Sequence, residues 1–454
     1  MSDAKGQSLF LGDDRIGLLL LKLSLPAFFG MFFSTLYGVI NTVFIGHKVG
    51  PLAIAGLSIV FPILMLSMGV GMMTGTGGAS LISRLIGKGD RERAEHALGN
   101  AIVCTLAFCT LTTVVGLYYM DFWLRLMGAS EDVFPYARDF MGIILYGAYF
   151  QTCVVALSSL IAAEGNARFP MIGTIIGAVL NIIFCWVFVV LFDMGVKGSA
   201  FAAVIGQATS AGYLFSYYFR RGNHLRLHSN GMRPRWSIIK DILSIGLASL
   251  ARNLSGSLSA VFVNRVLIAY GGDSAVSAFG IINQIMMFAI MPCMAISQGL
   301  QPIVGFNYGA KHYDKVLKTI KLATAACAAF ATCVFVMLYF SPEILFNIFT
   351  NDAELITLGS HASRRIFLAI HLVAFMVVGS TVFQAIGKAV QSFIISIARP
   401  VLFLVPLISI LPSKWHLEGV WLAFPITDVL TFLVVFALFT YQVKMFKAEG
   451  NVKD

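Results

Sequence analysis

Long apolar segments alternate with short polar connections along the whole chain. Each apolar segment holds about 20 residues or more, the length that a helix needs to cross the roughly 30 Å hydrocarbon core of a bilayer. The pattern predicts twelve transmembrane helices, at 17–45, 52–82, 97–119, 139–162, 169–192, 198–219, 242–269, 275–305, 319–340, 361–385, 391–412 and 417–440. Pro26 lies inside the first segment and removes a backbone hydrogen bond, which predicts a helix kink there.

The composition supports an all-α membrane protein. Of the 454 residues, 58% are hydrophobic and 12% are charged, whereas a soluble domain carries about 25% charged residues. This excludes a water-soluble enzyme, a disordered chain and a nucleic-acid-binding module. The sequence contains no Walker A motif, no HExxH and no GxSxG, so neither an enzyme nor a cofactor or metal site is expected. The seven cysteines all lie in apolar segments, as buried thiols do.

The two halves of the chain repeat at an offset of 222 residues. Several glycines recur at this offset: Gly50 with Gly272, Gly77 with Gly299, Gly87 with Gly309, and Gly165 with Gly387. Six spans in each half is an even number, so both halves share one orientation, as in parallel-repeat transporters. The sequence predicts a six-helix lobe at 1–221, a basic linker at 222–237 and a second six-helix lobe at 238–454.

The distribution of basic residues predicts the orientation in the membrane. The net charge is +10, and the predicted spans leave 22 of the 32 lysines and arginines on one side and 7 on the other. Arg252, Arg265 and Arg399 fall within spans. Because cytoplasmic loops are enriched in Lys and Arg, we expect both termini and the central linker to be cytoplasmic. The net positive charge is then explained by the orientation of the chain in a lipid bilayer, and it does not indicate that the protein binds nucleic acid.

Two repeated lobes with little soluble mass indicate alternating access around a central cavity. Without a nucleotide-driven motor, transport would be secondary or uncoupled. Methionine is abundant on the second and eighth spans, which are repeat mates, and flexible thioethers suit varied cargo. The candidate cavity residues are Met65, Met68, Met287, Gln284 and Asn264. Packing in the core or against lipid is the alternative for the methionines.

Several segments resemble the multidrug and toxic compound extrusion (MATE) transporters, in particular the bacterial branch with the DNA-damage-inducible and Gram-positive drug exporters. They are QGLQPIVGFNYGAK at 298–311, LSLP at 23–26 with YGVINTVFIG at 37–46, the region 164–207, and SIARPVLFLVPLISILP at 396–412 with GVWLAFPITD at 419–428. The resemblance implies a V-shaped pair of lobes in the bacterial inner membrane. It also implies export of small amphipathic cations in exchange for protons or sodium. We expect the transporter to be a monomer.

The resemblance also implies a coupling site that this sequence has altered. In this branch, coupling is attributed to an Asp on the first helix, an Asn and an Asp on the fifth and a Thr on the sixth. These positions fall on Asn41, Asn181, Cys185 and Ala203. Only the asparagine of the fifth helix is retained, so we expect that the usual ion site is degenerate.

The C-terminal half offers other candidates for coupling. Asp428 lies eleven residues into the last span, about 16 Å deep, and a charge near the bilayer centre is usually functional. An ion pair with Arg399 is the structural alternative for Asp428, and His371 near the middle of the tenth span is a second titratable candidate. Glu164 and Glu418 at span ends are expected to be interfacial.

Three functions therefore remain in competition. The leading interpretation is an exporter of drugs or metabolites. The second is a flippase or exporter of a lipid-linked or anionic cargo, or a transporter with coupling in the C-terminal lobe or with none. The third is a receptor that has lost transport.

Overall fold

The fold is an arrangement of twelve long helices joined by short turns. We describe residues 11–220, 224–350 and 352–451 of a computed structural model, and in these ranges all regular elements are helical. In chain order the long helices are α1 Ile16–Lys48, α2 Pro51–Gly87, α3 Arg91–Tyr118, α4 Phe134–Ala163, α5 Arg168–Cys185, α6 Gly195–Ser216, α7 236–271, α8 273–309, α9 Tyr313–Phe340, α10 Ala353–Ala385, α11 Ala389–Ile410 and α12 Pro412–Asn451.

The twelve predicted spans map onto these twelve helices. Ten continuous helices in the described ranges are long and apolar enough to cross a membrane, and one of them runs for 74 residues from Trp236 to Gly309. Gly272 interrupts this helix with a φ of 62° and a ψ of −162°, a conformation open essentially to glycine alone. It therefore separates α7 from α8, and α6 supplies the twelfth span. Gly50, the repeat mate of Gly272, has a φ of 105° directly before α2.

The fifth and eleventh helices, which are repeat mates, each include a π-helical segment. A π-helical segment, Trp186–Leu191, continues α5, and another, Ala398–Leu404, lies within α11. Pro400 lies in the second segment, and its carbonyl accepts a hydrogen bond of 2.6 Å from the Ser259 hydroxyl of α7. By contrast, α1 continues from Ile16 to Lys48 through the buried Pro26 as one helix.

The two halves of the chain meet near one end of the bundle, which we call the linker side because residues 224–235 lie there. The Thr76 and Ser249 hydroxyl oxygens are 2.9 Å apart, and the Gln301 amide donates to the Thr76 carbonyl at 3.0 Å. Nearer the opposite ends of their helices, Phe61 and Leu258 are 56% and 50% exposed. The halves are therefore closed against each other at the linker side, and from the exposure of these two side chains we infer that a cleft opens toward the far side.

Glycines bring the backbones together at this closed end. A Cβ atom at Gly87 of α2 would overlap the carbonyl oxygen of Phe306, and one at Gly309 of α8 would overlap that of Arg84. In a bilayer, helices associate through such close packing, because lipid is as apolar as the side chains it contacts. We call the contacts of Thr76, Gly87, Ser249, Gln301 and Gly309 the linker-side seal.

The central linker is docked against the N-terminal half. We call residues 224–235 the strap. Asn100 of α3 accepts from the Arg235 amide at 2.8 Å and donates to the Arg233 carbonyl at 3.1 Å. Glu95 of α3 accepts from the Arg226 amide at 3.3 Å. The strap is therefore held by hydrogen bonds to its backbone and not by its arginine side chains.

Glu164 provides a further anchor for the strap, and its surroundings differ from the interfacial position that we expected. Its side chain is 1% exposed and accepts from the Leu225 amide at 3.2 Å. Burial raises the pKa of the Glu164 carboxyl to about 8, against the opposing effects of the Leu225 amide and of Arg91. The expectation was wrong because only the tertiary structure brings the strap over this end of α4.

We expect Glu164→Gln to remove a pH dependence of stability. The pKa of the folded state lies above the ordinary value of 4.5, so the folded protein holds a proton that the unfolded chain has lost. The stabilisation is complete below pH 4.5 and is lost as the pH rises to about 8. Glutamine keeps the acceptor oxygen and cannot ionise.

The melting temperature of the detergent-solubilised protein between pH 5 and 9 tests this prediction. The wild type should lose stability across this interval, while Glu164→Gln should stay nearly flat and exceed the wild type at pH 9. Parallel curves for the two proteins would contradict it.

Candidate functional site

A buried ion pair lies in the C-terminal half. The Arg399 Nε of α11 donates to Asp428 Oδ1 of α12 at 2.6 Å, with the two side chains 28% and 3% exposed. Asp428 and Arg399 lie eleven and eight residues into their predicted spans, or about 16 and 12 Å from opposite ends, so both approach the bilayer centre. The structure thus brings together two of the three coupling candidates.

The third candidate, His371 of α10, lies at the edge of this pair. It is near enough to Asp428 to act on it electrostatically. Its ring is also 6.2 Å from the ring of Phe335 on α9, and the residue is exposed. His371 therefore stands between the ion pair and the surface of the half.

The π-helical segment of α11 positions Arg399. Arg399 directly precedes Pro400, which has no N–H to donate to the helix, and the Ser259 hydroxyl satisfies the Pro400 carbonyl. Such π-helical insertions often lie at functional sites, because they break the regular hydrogen-bond register. A change in the charge of Asp428 would therefore act on a part of α11 that is irregular already.

A second buried cation lies on α7. The Arg252 Nη2 donates to the Ser380 hydroxyl of α10 at 2.8 Å, and Arg252 has no carboxylate within 4 Å in the described ranges. One helical turn toward the linker side, the Gln384 amide donates to the Ser249 hydroxyl at 3.0 Å. Because Ser249 belongs to the linker-side seal, Arg252 lies directly above the closed end of the cleft.

The four positions of the coupling site implied by the family resemblance, three of them altered in this chain, form no charged site in the N-terminal half. Asn41, Asn181 and Cys185 are buried and Ala203 is half-buried. Asn41 Oδ1 and both side-chain polar atoms of Asn181 have no hydrogen-bond partner in the structure, and Cys185 packs in an apolar cluster with Val189. Unpaired buried amides are costly, yet none of these groups can exchange a proton near neutral pH.

A tyrosine–glutamine pair takes the place of the ion pair in this half. The Gln207 amide donates to the Tyr37 hydroxyl at 3.1 Å, and Gln207 is the repeat mate of Asp428 at an offset of 221. The two halves therefore differ in the same region: the N-terminal half holds a neutral hydrogen bond where the C-terminal half holds a salt bridge.

The methionines of α2 continue the face that contacts α7. Gly69 packs against Asn253, and the Asn253 amide contacts the Met72 sulfur at 3.3 Å. Met65 and Met68 lie four residues before Gly69 and Met72, so they share that face one turn further from the linker side. Both are half-buried. This position lies between the seal and the far end of α2.

The candidate residues of α7 and α8 follow the same geometry. Asn264 lies eleven residues beyond Asn253, which returns it to the same face of α7. Met287 lies eleven residues before Gln298, whose amide contacts Met31 of α1 at 3.6 Å. Met287 is 54% exposed, and Gln284 and Asn264 are also exposed. All three residues therefore lie further from the linker side than Asn253 and Gln298, which make the contacts between the halves.

Sequence reasoning missed the role of Arg252 and its contact with Ser380. The sequence places Arg252 within a span, and a charged residue at that depth is the signal that could have singled it out. Its neighbours, however, depend on the rotation of α7 relative to α10, which hydrophobic patterning does not specify.

Comparisons with known proteins agree with one another. The MatE family model matches residues 26–187 and 245–410, one range in each half. The multidrug export protein MepA of Staphylococcus haemolyticus is 24% identical over 440 residues, covering 96% of both chains. A MATE crystal structure in the bent conformation is 25% identical, with a TM-score of 0.92 over 98% of this chain and 99% of that one. An outward-facing multidrug resistance MATE transporter gives the same values.

Proposed function

The chain belongs to the MatE family of membrane transporters, and from this premise we propose that it exports small amphipathic compounds across the bacterial inner membrane. The observation that carries the proposal is the close contact between the halves at the linker side, from which we infer a cleft toward the far side, with the half-buried or exposed methionines of α2 and α8 as its proposed lining. The export of drugs by relatives such as MepA supports it. The predicted lobes at 1–221 and 238–454 would rock about the seal; residues 221–223, and so the predicted linker bounds at 222, lie outside the described ranges.

We further propose that a proton drives export through Asp428. The N-terminal cluster offers the Asn41 amide and the Cys185 thiol where this branch is expected to hold carboxylates, and Ala203 where it is expected to hold a threonine. Asp428 with Arg399 supplies the one buried carboxylate–cation pair near the midplane in the described ranges. Sodium is the competing ion, because a carboxylate freed from its arginine can bind either cation.

A second function, transport of an anionic or lipid-linked cargo, is favoured by one observation. The cleft-side guanidinium of Arg252 has no carboxylate partner in the described part of the chain. The family resemblance implies cationic cargo. The positive charge of Arg252 would repel a cation at this depth, and the embedded carboxylate of Asp428 is already paired with Arg399. The charge of the cargo therefore separates the two functions.

The experiment that tests the proposed function uses the full chain reconstituted in proteoliposomes. Efflux of amphipathic dyes is measured with a proton gradient and with a sodium gradient applied separately. Export under the proton gradient alone supports coupling by protons, and export under the sodium gradient alone assigns the ion to sodium. If neither gradient drives the efflux of any dye, the proposed function is contradicted.

The proposed orientation makes a prediction at the strap. Ser229 is exposed, and the strap belongs to the more basic side, which is cytoplasmic under the positive-inside rule. Ser229→Cys should therefore react with a membrane-impermeant maleimide in inverted vesicles and stay unlabelled in intact cells. The wild-type chain provides the control, because Cys333 is its one exposed cysteine in the described ranges. Labelling of the variant in intact cells would reverse the orientation.

A further inference from the structure

The embedded charges of the two halves do not balance. In α1–α6, every charged residue lies within the first or last two turns of its helix. Near the midplane, the C-terminal half carries Arg252, Arg399 and Asp428. Asp428 is committed to Arg399 at 2.6 Å, so one cation, Arg252, has no opposite charge beside it.

Arg252 is also placed where cargo would reach it. It lies ten residues into the predicted span 242–269, about 15 Å deep, which is half of the hydrocarbon core. It is half-buried, not sealed. It lies one turn beyond Ser249 and so between the linker-side seal and the far ends of the helices; we infer that cargo entering from the far side would reach it there.

Most of the donor capacity of Arg252 is unused. A guanidinium carries five N–H donors in a planar fork, and the hydrogen bond to Ser380 uses one of them. A charged arginine at this depth raises the free energy of insertion into the bilayer, so arginines found there usually have a function. The planar fork matches the two oxygens of a carboxylate, phosphate or sulfonate, and such charge-assisted pairs are the strongest hydrogen bonds available to a protein.

We propose that Arg252 and Ser380 form a binding site for the anionic group of an amphipathic cargo, whose apolar part lies against the methionines of the cleft. This inference rests on the proposed function and deepens it by naming the substrate class. Ser380 holds the guanidinium in place and can donate its own hydroxyl hydrogen to the anion. Two sources of such an anion are possible, a soluble organic acid and the headgroup of a lipid.

A matched pair of probes tests the charge preference. Dansylaminoundecanoate is an anionic amphiphile, and its trimethylammonium counterpart keeps the dansyl group and the chain but reverses the charge. Both are titrated against the full-length protein in nanodiscs by dansyl fluorescence. The wild type should bind the carboxylate more tightly than the ammonium. Arg252→Gln should weaken carboxylate binding by about tenfold to a hundredfold, as expected for a lost charge-assisted hydrogen bond, and leave ammonium binding unchanged or improved.

Two further variants separate a ligand site from a structural strut. Arg252→Lys keeps the charge and should retain part of the carboxylate affinity. Ser380→Ala removes the contact between α7 and α10 but keeps the cation, so it should weaken carboxylate binding less than Arg252→Gln does. Equal affinity of the wild type for both probes would overturn the proposal. The proposal would also be overturned if Arg252→Gln bound both probes with wild-type affinity while Arg252→Gln and Ser380→Ala lowered the melting temperature equally.

Transport assays then identify the source of the anion and keep the two proposals apart. Arg252-dependent export of the carboxylate probe, without movement of fluorescent phosphatidylglycerol, supports a soluble acid. Arg252-dependent phosphatidylglycerol movement between leaflets supports a lipid. Export of the ammonium probe alone would overturn the anion site and leave the proposed function intact. Binding of the carboxylate without export of either probe would support the site and contradict the function.

Discussion

Asp428→Asn should lose gradient-driven export and still bind cargo within a few-fold of the wild-type affinity. Asparagine can accept the hydrogen bond that Arg399 donates at 2.6 Å, so the packing of α11 against α12 survives. It cannot take up or release a proton. If Asp428 is the coupling group, the variant binds cargo but no longer couples its movement to the gradient.

The expected size of this effect follows from the membrane potential. A proton that moves down 100 mV supplies about 2.3 kcal/mol, and about 1.4 kcal/mol changes an equilibrium tenfold. Protonation of Asp428 would leave Arg399 as an uncompensated buried cation, which costs several kcal/mol. A conformational change that relieves Arg399 could therefore be driven by one proton.

The measurement is dye binding and dye efflux on the same reconstituted preparation. Asn41→Ala is the matched control, because it alters the N-terminal position where this branch is expected to hold a carboxylate; its rate can fall, but the pH dependence should be that of the wild type. Wild-type efflux by Asp428→Asn under a proton gradient would refute the assignment. His371→Gln, on the neighbouring α10, would then be the variant to examine.

Gly309→Ala should reduce export by more than tenfold while the protein folds and inserts as before. A methyl group at Gly309 would overlap the carbonyl oxygen of Arg84 in α2, and backbone atoms cannot rotate aside as a side chain can. The linker-side seal then cannot close. The overlap lies at the contact between the halves and not inside either half, so we expect the damage to fall on the equilibrium between access states and not on folding.

Gly280→Ala provides a control on the same helix. A Cβ atom at Gly280 meets nothing within 4 Å, so this variant gains helix propensity without a clash and should transport normally. Spin labels at Lys88 and Lys311, which flank the seal and are exposed, report its closure. Gly309→Ala should lengthen the distance between the labels, and Gly280→Ala should not. Normal transport and an unchanged distance in Gly309→Ala would show that the seal tolerates a methyl group.

The fold was largely predictable because membranes constrain it strongly. Hydrophobic length predicts the twelve helices, and the offset of 222 predicts that Gly272, like Gly50, ends one span and begins the next. Depth along neighbouring helices also suggests the pair of Asp428 and Arg399. Each of these features depends only on the depth of a residue along the bilayer normal, and a hydropathy pattern reports that depth.

The remaining features depend on rotation and on long-range contact, which the pattern does not measure. The contact of Arg252 with Ser380 requires that α7 turn one particular face toward α10. The burial of Glu164 requires the strap to fold back over the end of α4. The strap is anchored through its backbone amides, which every residue type except proline carries. The side chains of the strap therefore give no sign in the sequence that it is docked, and it looks polar and solvated.

The closed end of the cleft has the geometry of a symmetric dimer interface. The contact of Gly87 with Phe306 and that of Gly309 with Arg84 exchange with each other under the offset of 222 residues. The glycine contacts of the seal are thus isologous, as in a twofold homodimer. The strap tethers the two partners in such a dimer and holds their effective concentration near the millimolar range. An interface too weak to hold separate chains together can therefore close reliably here and still open in every cycle.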